Sequence, residues 1–222
     1  MTFDALLLDI EGTVCPIAFV KDVLFPYFVA QVPLLVEKAS DELLSGFKDE
    51  HGAEVHREQL EAHILDLVRQ DLKDPALKRL QGHVWRSGYE DGSIKAPVYA
   101  DAVDLLQRHK GSVYIYSSGS VEAQKLLFAH VKGVPGDLTP FIAGYFDITT
   151  SGRKTDSESY RSISQQIGKA AERVLFLSDN ILELDAAGEA GMQCGLALRE
   201  GNAPLAHSNS DEYTEYRTFS EL

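Results

Sequence analysis

Two carboxylates near the amino end are the first residues of this chain that could do chemistry. Asp9 and Glu11 stand two positions apart in the stretch Asp9-Ile10-Glu11-Gly12-Thr13, which directly follows an apolar run. A carboxylate can attack phosphorus and hold the phosphoryl group as an acyl phosphate, which divides one difficult hydrolysis into two easier displacements. A second acid can donate a proton to the leaving oxygen and later activate water. We therefore predict Asp9 as a nucleophile and Glu11 as its acid and base.

An anion site is predicted from three further polar residues, Ser117, Ser118 and Lys154. The two serines open the stretch Ser-Ser-Gly-Ser before a helical pattern, where hydroxyls and backbone N–H groups at a helix start can bind an anion. Lys154 adds a fixed cation. Together these residues would hold a phosphate group.

A metal site is predicted from a third group of acids. Asp179 follows another apolar run, and Glu183 comes one helical turn later. Hard cations such as Mg²⁺ favour oxygen ligands and take one or two carboxylates together with waters and phosphate. Asp9, Asp179 and Glu11, the last through its main-chain carbonyl, would surround such an ion. Glu183 would support this site from a second layer.

Each of these residues has an ordinary structural explanation when it is taken alone. A lone Asp at a strand end usually belongs to a turn, a serine before an apolar run usually caps a helix, and a single Lys is usually solvated. The ordered set favours chemistry, because every member follows a predicted strand. Ordinary packing is favoured for the remaining reactive side chains, Cys15, His51, His56 and His63.

Buried strands must position the polar residues. Continuous apolar runs predict such strands over residues 3–9, 112–116, 145–149, 174–177 and 193–198. Helical patterns lie between them, over residues 121–131, 157–167 and 181–190. This alternation predicts a doubly wound, Rossmann-like α/β core with a parallel sheet. Because ligands of such sheets bind outside the carboxyl ends of the strands, we expect the polar clusters to face one crevice.

An all-helical domain is predicted between the first strand and the rest of the sheet. Residues 18–97 contain no convincing strand but several amphipathic patterns, of which residues 54–73 form the clearest. We expect residues 1–17 and 98–222 to form the core domain and residues 18–97 to form a helical cap.

Composition and charge disfavour several classes of protein. The 222 residues are 44% hydrophobic and 25% charged, which is usual for a globular chain. A net charge of −13 disfavours nucleic acid and anionic membranes as partners. Two distant cysteines indicate no disulfide framework, and no signal peptide or membrane span is indicated. We expect a cytoplasmic monomer that acts on a small molecule.

The motifs taken together resemble those of the haloacid dehalogenase superfamily. The run Leu-Leu-Leu-Asp-Ile-Glu-Gly-Thr is similar to the first motif of that superfamily, Asp-x-Asp-Gly-Thr, and Ser118, Lys154 and Asp179 match the other three in order and spacing. The Glu at position 11 resembles the acireductone synthase (enolase-phosphatase) branch. Longer strings carry the same resemblance: Gln-Gly-His-Val-Trp with Gly-Tyr within residues 81–89, Tyr-Ile-Tyr-Ser-Ser-Gly-Ser-Val-Glu-Ala-Gln-Lys at 114–125, and Phe-Ser-Glu-Leu at 219–222.

This resemblance implies a bifunctional enzyme of methionine salvage with one Mg²⁺ per subunit. It would convert 2,3-diketo-5-methylthiopentyl-1-phosphate through an enol phosphate into 1,2-dihydroxy-3-keto-5-methylthiopentene (acireductone) and phosphate, by way of an aspartyl-phosphate on Asp9. Glu11 is our hypothesis for the base that forms the enol. The resemblance adds the nucleus to the cytoplasm as a location.

The helical cap would cover the active site and close over the methylthio tail of the substrate. Burial there would exclude water from the reacting centre and give selectivity through apolar contacts. Our candidates for the wall of that pocket are Phe19, Trp85 and Tyr89.

Two rival functions stay open from the sequence. One is another Mg²⁺-dependent phosphatase of the same superfamily with a different small phosphate ester, and the string at 114–125 and Glu11 speak against it. The other is a catalytically dead fold that serves as a binding protein, and competent residues at all four motif positions speak against it. A dehalogenase proper is disfavoured further, because displacement of a halide does not require the metal-binding Asp179.

Overall fold

Short apolar runs form a parallel sheet in the computed structural model, which describes residues 2–70, 72, 74–133, 135–202 and 212–222. Within these residues the strands are β1 (Ala5–Leu8), β2 (Val113–Ser117), β3 (Ile142–Asp147), β4 (Val174–Ser178), β5 (Gln193–Ala197) and β6 (Thr214–Tyr216). Their order across the sheet is β3-β2-β1-β4-β5-β6, which is the order of doubly wound, Rossmann-type folds. The predicted α/β class is therefore confirmed.

Helices connect the strands and form a separate region of the chain. In chain order they are α1 (Phe25–Lys38), α2 (Asp41–Leu44), α3 (Arg57–Arg69), α4 (Pro75–Glu90), α5 (Ala100–Arg108), α6 (Val121–Ala129), α7 (Ile148–Ser151), α8 (Ser157–Ile167) and α9 (Ile181–Glu189). A π-helical turn, Val20–Leu24, leads into α1. No helix of the described residues is long and apolar enough to cross a membrane.

The chain divides into two compact units. The core unit consists of Met1–Phe19 and Lys95–Leu222, and the helical unit consists of Val20–Ile94. The core unit contains the whole sheet, with the leucines of β1 fully buried at its centre. Strands that are buried on both faces read as unbroken apolar runs, which explains why they stand out in the sequence.

The register of the sheet brings the carboxyl ends of three strands together. Leu8 of β1 lies opposite Ile115 of β2 on one side and Leu177 of β4 on the other. The backbone N–H of Asp9 donates to the carbonyl of Leu177 at 3.0 Å. The loops that follow β1, β2 and β4 therefore start at the same edge of the sheet.

The third strand differs from its prediction over residues 145–149. The strand begins earlier, at Ile142, and ends at Asp147. The carboxylate of Asp147 accepts hydrogen bonds from the N–H groups of Thr149 and Thr150 at 2.9 and 2.8 Å, and these bonds close the helical turn α7. Asp147 thus acts as the N-cap of α7, and this capping overrides the strand preference of the β-branched residues that follow it.

Two predicted helices are shorter than expected. The helix predicted over residues 54–73 begins at Arg57, because Glu54 forms an antiparallel bridge with Lys48 and is extended; its α-helical part ends at Arg69. The helix predicted over residues 121–131 ends at Ala129, because Val131 bridges to Ala96.

The helical unit has a hydrophobic core of its own. Phe28, Val32, Phe47, Ile64 and Leu80 are buried in it. No named strand falls among its described residues. A side chain at position 88 would not fit, since a Cβ there would lie 2.7 Å from ring or methyl carbons of residues 27 and 94.

Candidate active site

Asp9 occupies the end of the central strand and is only 6% exposed. The Nζ atom of Lys154 lies 2.5 Å from its Oδ1 atom. The hydroxyl of Thr13 lies 3.5 Å from its Oδ2 atom. One carboxylate oxygen of the predicted nucleophile is thus paired with a cation, and the other has only a long, weak contact.

Lys154 is held between two carboxylates and is 9% exposed. Its Nζ atom lies 2.6 Å from Oε2 of Glu183, which also accepts a hydrogen bond from the hydroxyl of Ser178 at 2.9 Å. The phenol of Tyr160 donates to the main-chain carbonyl of Lys154 at 2.7 Å. Burial alone would lower the pKa of Lys154, but Asp9 and Glu183 raise it to about 12. The ammonium group therefore stays charged at neutral pH.

Asp179 lies against the loop that follows Asp9. Gly12 has a φ of +72°, and a Cβ atom on it would lie 2.1 Å from Oδ2 of Asp179. Burial, together with the negative charges of Asp9 and Glu183, raises the pKa of Asp179 to about 7. The site therefore crowds acids around a single lysine.

Glu11 belongs to the same electrostatic cluster but remains exposed. Partial desolvation raises the pKa of Glu11, the charge of Asp9 raises it further, and Lys154 opposes both. A carboxyl group that is accessible and has a raised pKa suits an acid that must reach a bound molecule.

The two predicted phosphate-binding serines differ in their surroundings. Ser117 is buried and its hydroxyl accepts the N–H of Gly119 at 3.2 Å, whereas Ser118 is exposed. The cap of α6 is Ser120, whose hydroxyl accepts the N–H of Ala123 at 3.2 Å. Among the described residues, no hydrogen bond joins Ser117 or Ser118 to the acids or to the lysine. The sheet places both serines at the carboxyl end of β2, which is the strand next to β1.

The donor set fits a magnesium ion that uses main-chain and water oxygens besides side chains. Within the described part of the chain, no three Asp, Glu, His or Cys side chains are arranged to hold a metal ion by themselves. Mg²⁺ usually takes only one or two carboxylates from the protein. Asp9 and Asp179 can supply these. The pKa of Asp179 is raised first by burial and then by the negative charges of Asp9 and Glu183, and a cation would offset those charges.

One site residue was missed by sequence reasoning. Glu183, which was expected to support the metal site from a second layer, pairs with Lys154. Ser178 follows the same apolar run as Asp179, and its hydroxyl donates to Glu183. Tyr160, which donates to the carbonyl of Lys154, was missed because it resembles an ordinary helix residue in the sequence.

The remaining predicted side chains have structural contacts. Cys15 is buried, and burial raises the pKa of its thiol to about 12, as expected for packing. The indole N–H of Trp85 donates to the carbonyl of Leu24 at 2.9 Å. Tyr89 is buried in the helical unit, and Phe19 is buried in the core unit. A role of these aromatic residues in a methylthio pocket stays a prediction.

Comparisons with known proteins extend over nearly the whole chain. Residues 3–191 match the haloacid dehalogenase-like hydrolase family. Enolase-phosphatase E1 of Saccharomyces cerevisiae is 54% identical, covering 99% of this chain and 98% of the relative. Enolase-phosphatase E1 of Kluyveromyces lactis is 52% identical, covering 97% of each chain.

Solved structures with the same fold match the whole chain. The crystal structure of the UTR4 protein (Unknown transcript 4 protein) of Saccharomyces cerevisiae has a TM-score of 0.89 and 53% identity, and the match covers 100% of both chains. CbbY of Rhodobacter sphaeroides, in complex with phosphate, has a TM-score of 0.65 at 16% identity, covering 100% of this chain and 96% of that one. This second likeness shows the fold alone.

Proposed function

The chain belongs to the haloacid dehalogenase-like hydrolases, and from that premise we propose that it is the enolase-phosphatase of methionine salvage. Its substrate would be 2,3-diketo-5-methylthiopentyl-1-phosphate, and its products acireductone and phosphate. The observation that carries the proposal is the geometry around Asp9. Lys154 lies 2.5 Å from the carboxylate of Asp9, and Asp179 lies against the loop that follows it.

Phosphoryl transfer would proceed in two displacements at phosphorus, with an aspartyl-phosphate on Asp9 between them. In the first, a carboxylate oxygen of Asp9 attacks phosphorus, the bond from phosphorus to the substrate oxygen breaks, and Glu11 gives its proton to that oxygen. In the second, Glu11 takes a proton from water, the water oxygen attacks phosphorus, and the bond to Asp9 breaks. Phosphate leaves and both carboxylates return to their first state.

Enol formation would precede phosphoryl transfer in the same site. The substrate carbon between the ketone and the phosphate ester is acidic when the carbonyl is polarised, so a base can remove its proton. Glu11 is our hypothesis for that base, because it is the exposed acid of the cluster and its raised pKa favours proton uptake. The electron pair of the broken C–H bond then forms the enol double bond, and the carbonyl oxygen takes a proton from solvent water. Glu11 keeps the proton from carbon, which it gives to the leaving oxygen in the next step, and after the second displacement it releases a proton to solvent.

The charged groups of the site would have separate tasks. Mg²⁺, held by Asp9, Asp179 and the main-chain carbonyl of Glu11, would offset the repulsion between the nucleophile and the phosphate. Lys154 keeps its positive charge and orients Asp9. Ser117 and Ser118 would hold phosphate oxygens from the end of β2.

The proposal for the helical unit is that it acts as a cap over the methylthio tail. The unit has its own hydrophobic core, so it can act as a body distinct from the sheet. Apolar contacts with the tail would give selectivity and keep water from the enol intermediate. We further propose that the protein is a cytoplasmic and nuclear monomer without nucleic acid or membrane partners, which sedimentation and cell fractionation can test.

The test is incubation of the purified protein with the diketone phosphate and Mg²⁺. Absorbance of the enol and of acireductone is followed together with free phosphate, so both half-reactions are measured at once. We expect all three signals with the wild-type protein and none after chelation of divalent ions. Release of phosphate only from other esters in a panel of metabolites would indicate a different phosphatase, and no release from any ester would indicate a binding protein.

A further inference from the structure

The loop that carries the catalytic acids is held by its main-chain carbonyls. We call residues 9–15 the nucleophile loop. Three consecutive carbonyls in it each accept a hydrogen bond of 2.9 Å: Gly12 from Nδ2 of Asn202, Thr13 from Nε of Arg199, and Val14 from the N–H of Tyr99. The donors come from segments far away in sequence. They tie the loop to the rest of the core unit, in addition to backbone hydrogen bonds within the loop from the N–H groups of residues 12–15 to the carbonyls of Ile10 and Cys15.

Arg199 is the charged member of these donors, and its side chain is 6% exposed. Its guanidinium carbon lies over two aromatic rings, 4.6 Å from the ring centre of Tyr99 and 4.2 Å from that of Phe219. Its Nη1 atom donates to Oδ2 of Asp101 at 2.8 Å. A buried charge is costly unless it is paired and hydrogen-bonded, and here stacking and an ion pair both stabilise it.

The segment around Phe219 completes this arrangement. Phe219 is fully buried, and its N–H donates to the same Oδ2 atom of Asp101 at 2.8 Å. Its carbonyl accepts a hydrogen bond from Nη2 of Arg108 at 2.9 Å. Phe219 also begins the string at 219–222 to which the proposed chemistry assigns no role. Its contacts indicate that it keeps Arg199 in position.

Glu11 is held less directly than Asp9. Asp9 is anchored by the sheet and by Lys154, with a backbone hydrogen bond to β4 and an ion pair of 2.5 Å. The backbone on either side of Glu11 is held only within the loop, where the N–H of Gly12 donates to the carbonyl of Cys15 at 2.8 Å and the N–H of Cys15 donates to the carbonyl of Ile10 at 2.9 Å. The carbonyls of residues 12–14 connect this turn to the rest of the core unit, so the orientation of Glu11 depends on how firmly they are held.

We infer that Arg199 is a positioning residue for Glu11, acting through the Thr13 carbonyl and held by Asp101 and Phe219. The inference rests on the proposed function for its catalytic consequence. A change of about 1 Å in the place of a catalytic group can cost on the order of 100-fold in rate. Loss of Arg199 should therefore impair the proton transfers of Glu11 more than the attack by Asp9.

The test compares Arg199→Gln with Arg173→Gln as a matched control. Arg173 also forms an arginine–aspartate pair, with Asp4 at 2.5 Å, but at the opposite end of β1. For both variants, kcat/KM is measured with the diketone phosphate and with p-nitrophenyl phosphate, whose leaving group departs without a proton. The value of kcat/KM reports only the steps up to formation of the aspartyl-phosphate, and not its later hydrolysis. Hydrogen exchange of the peptide covering residues 9–15 is measured by mass spectrometry in parallel.

We expect Arg199→Gln to lower kcat/KM by about 10- to 100-fold for the diketone phosphate and by less than about 5-fold for p-nitrophenyl phosphate. Hydrogen exchange in residues 9–15 should accelerate by at least about 10-fold. Arg173→Gln should change neither. Arg199→Lys should recover only part of the loss, because one ammonium cannot reach Thr13 and Asp101 with the geometry of a guanidinium.

Equal losses for both substrates, or unchanged hydrogen exchange in residues 9–15, would overturn the inference. If Arg199→Gln does not fold, Phe219→Leu serves in its place, since it keeps an apolar side chain but removes one ring from the guanidinium. The loss of kcat/KM is then again expected to be larger for the diketone phosphate than for p-nitrophenyl phosphate, but the difference should be smaller. Equal losses for the two substrates count against the inference. A wild-type protein that shows no reaction with the diketone phosphate contradicts the proposed function instead, and the exchange experiment still tests the role of Arg199.

Discussion

Replacement of Gly12 by alanine tests whether Asp179 belongs to the reacting centre. The new Cβ atom would lie 2.1 Å from Oδ2 and 2.6 Å from Cγ of Asp179, whereas real Cβ contacts essentially never fall below 3.0 Å. The carboxylate must therefore retreat by about 1 Å or the loop must move by as much. Either change alters the distance between the carboxylates of Asp179 and Asp9.

The size of the effect can be separated into two parts. The left-handed φ of +72° by itself costs an alanine about 1–2 kcal/mol, which corresponds to a fall of roughly 2–4 °C in Tm per kcal/mol for a chain of this length. Displacement of a catalytic group by about 1 Å adds a loss of about 100-fold in kcat/KM. The Mg²⁺ concentration for half-maximal activity should rise by about 10-fold or more, because a displaced carboxylate is a poorer ligand.

Gly111→Ala is the matched control for this experiment. Gly111 has a φ of +88° in the turn before β2, and a Cβ atom there would meet nothing within 4 Å. It should lose the same 1–2 kcal/mol of stability and keep wild-type kinetics. Thermal unfolding and phosphate release across a Mg²⁺ titration supply both comparisons. If Gly12→Ala shows the kinetics of Gly111→Ala, Asp179 has no part in the reaction.

The remaining predictions concern the proposed catalytic groups and the substrate. Asp9→Asn should reduce phosphate release by at least about 10⁴-fold and leave no trappable aspartyl-phosphate in mass spectra, while enol formation can persist; turnover near the wild-type rate would contradict nucleophilic attack by Asp9. Lys154→Met should lower the free energy of unfolding by about 3–5 kcal/mol, because it leaves Asp9 and Glu183 buried without their shared cation; chemical denaturation measures this, and an unchanged midpoint would show that the ion pairs add nothing. Glu11→Gln should slow both enol formation and phosphate release by about 100-fold or more; enol formation at the wild-type rate would require another base. A substrate without the methylthio tail should lose about 10-fold or more in kcat/KM, at about 0.8 kcal/mol for each buried methylene-sized group; comparable kinetics for both substrates would argue against a pocket built by the cap.

Local patterns were sufficient for β1, β2, β4 and β5 and for the main helices between them. Buried parallel strands need unbroken apolar runs, so β1 and β4 could be located from composition along the chain alone. β3 could not be located as well, because Gly144 interrupts its apolar run and Asp147 redirects the backbone into a helical turn. β6 has only three residues, and two of them are exposed, so it shows no apolar pattern.

The candidate site was predictable where residues match a motif in order and spacing. Asp9 and Asp179 directly follow β1 and β4, whereas Lys154 comes after α7 and not at the end of a strand. The structure brings these three residues together. The ion pair of Glu183 with Lys154 was not predicted, because the two residues are far apart along the chain and the sequence does not show which of several charges Glu183 meets. Arg199 had no local signal at all, since Thr13 is 186 positions away in the sequence. The sequence of residues 201–211 also predicts a loop, and most of it, residues 203–211, lies outside the described residues.

Thr13 and Arg199 are also made at different times during synthesis of the chain. A ribosome that adds about 5–20 residues per second needs roughly 10–40 s to pass from one to the other. During that interval a nascent chain already carries Asp9 and Glu11 but lacks the guanidinium that donates to the carbonyl of Thr13. Chains that end before Arg199 should therefore react with the phosphate ester more slowly than the full chain.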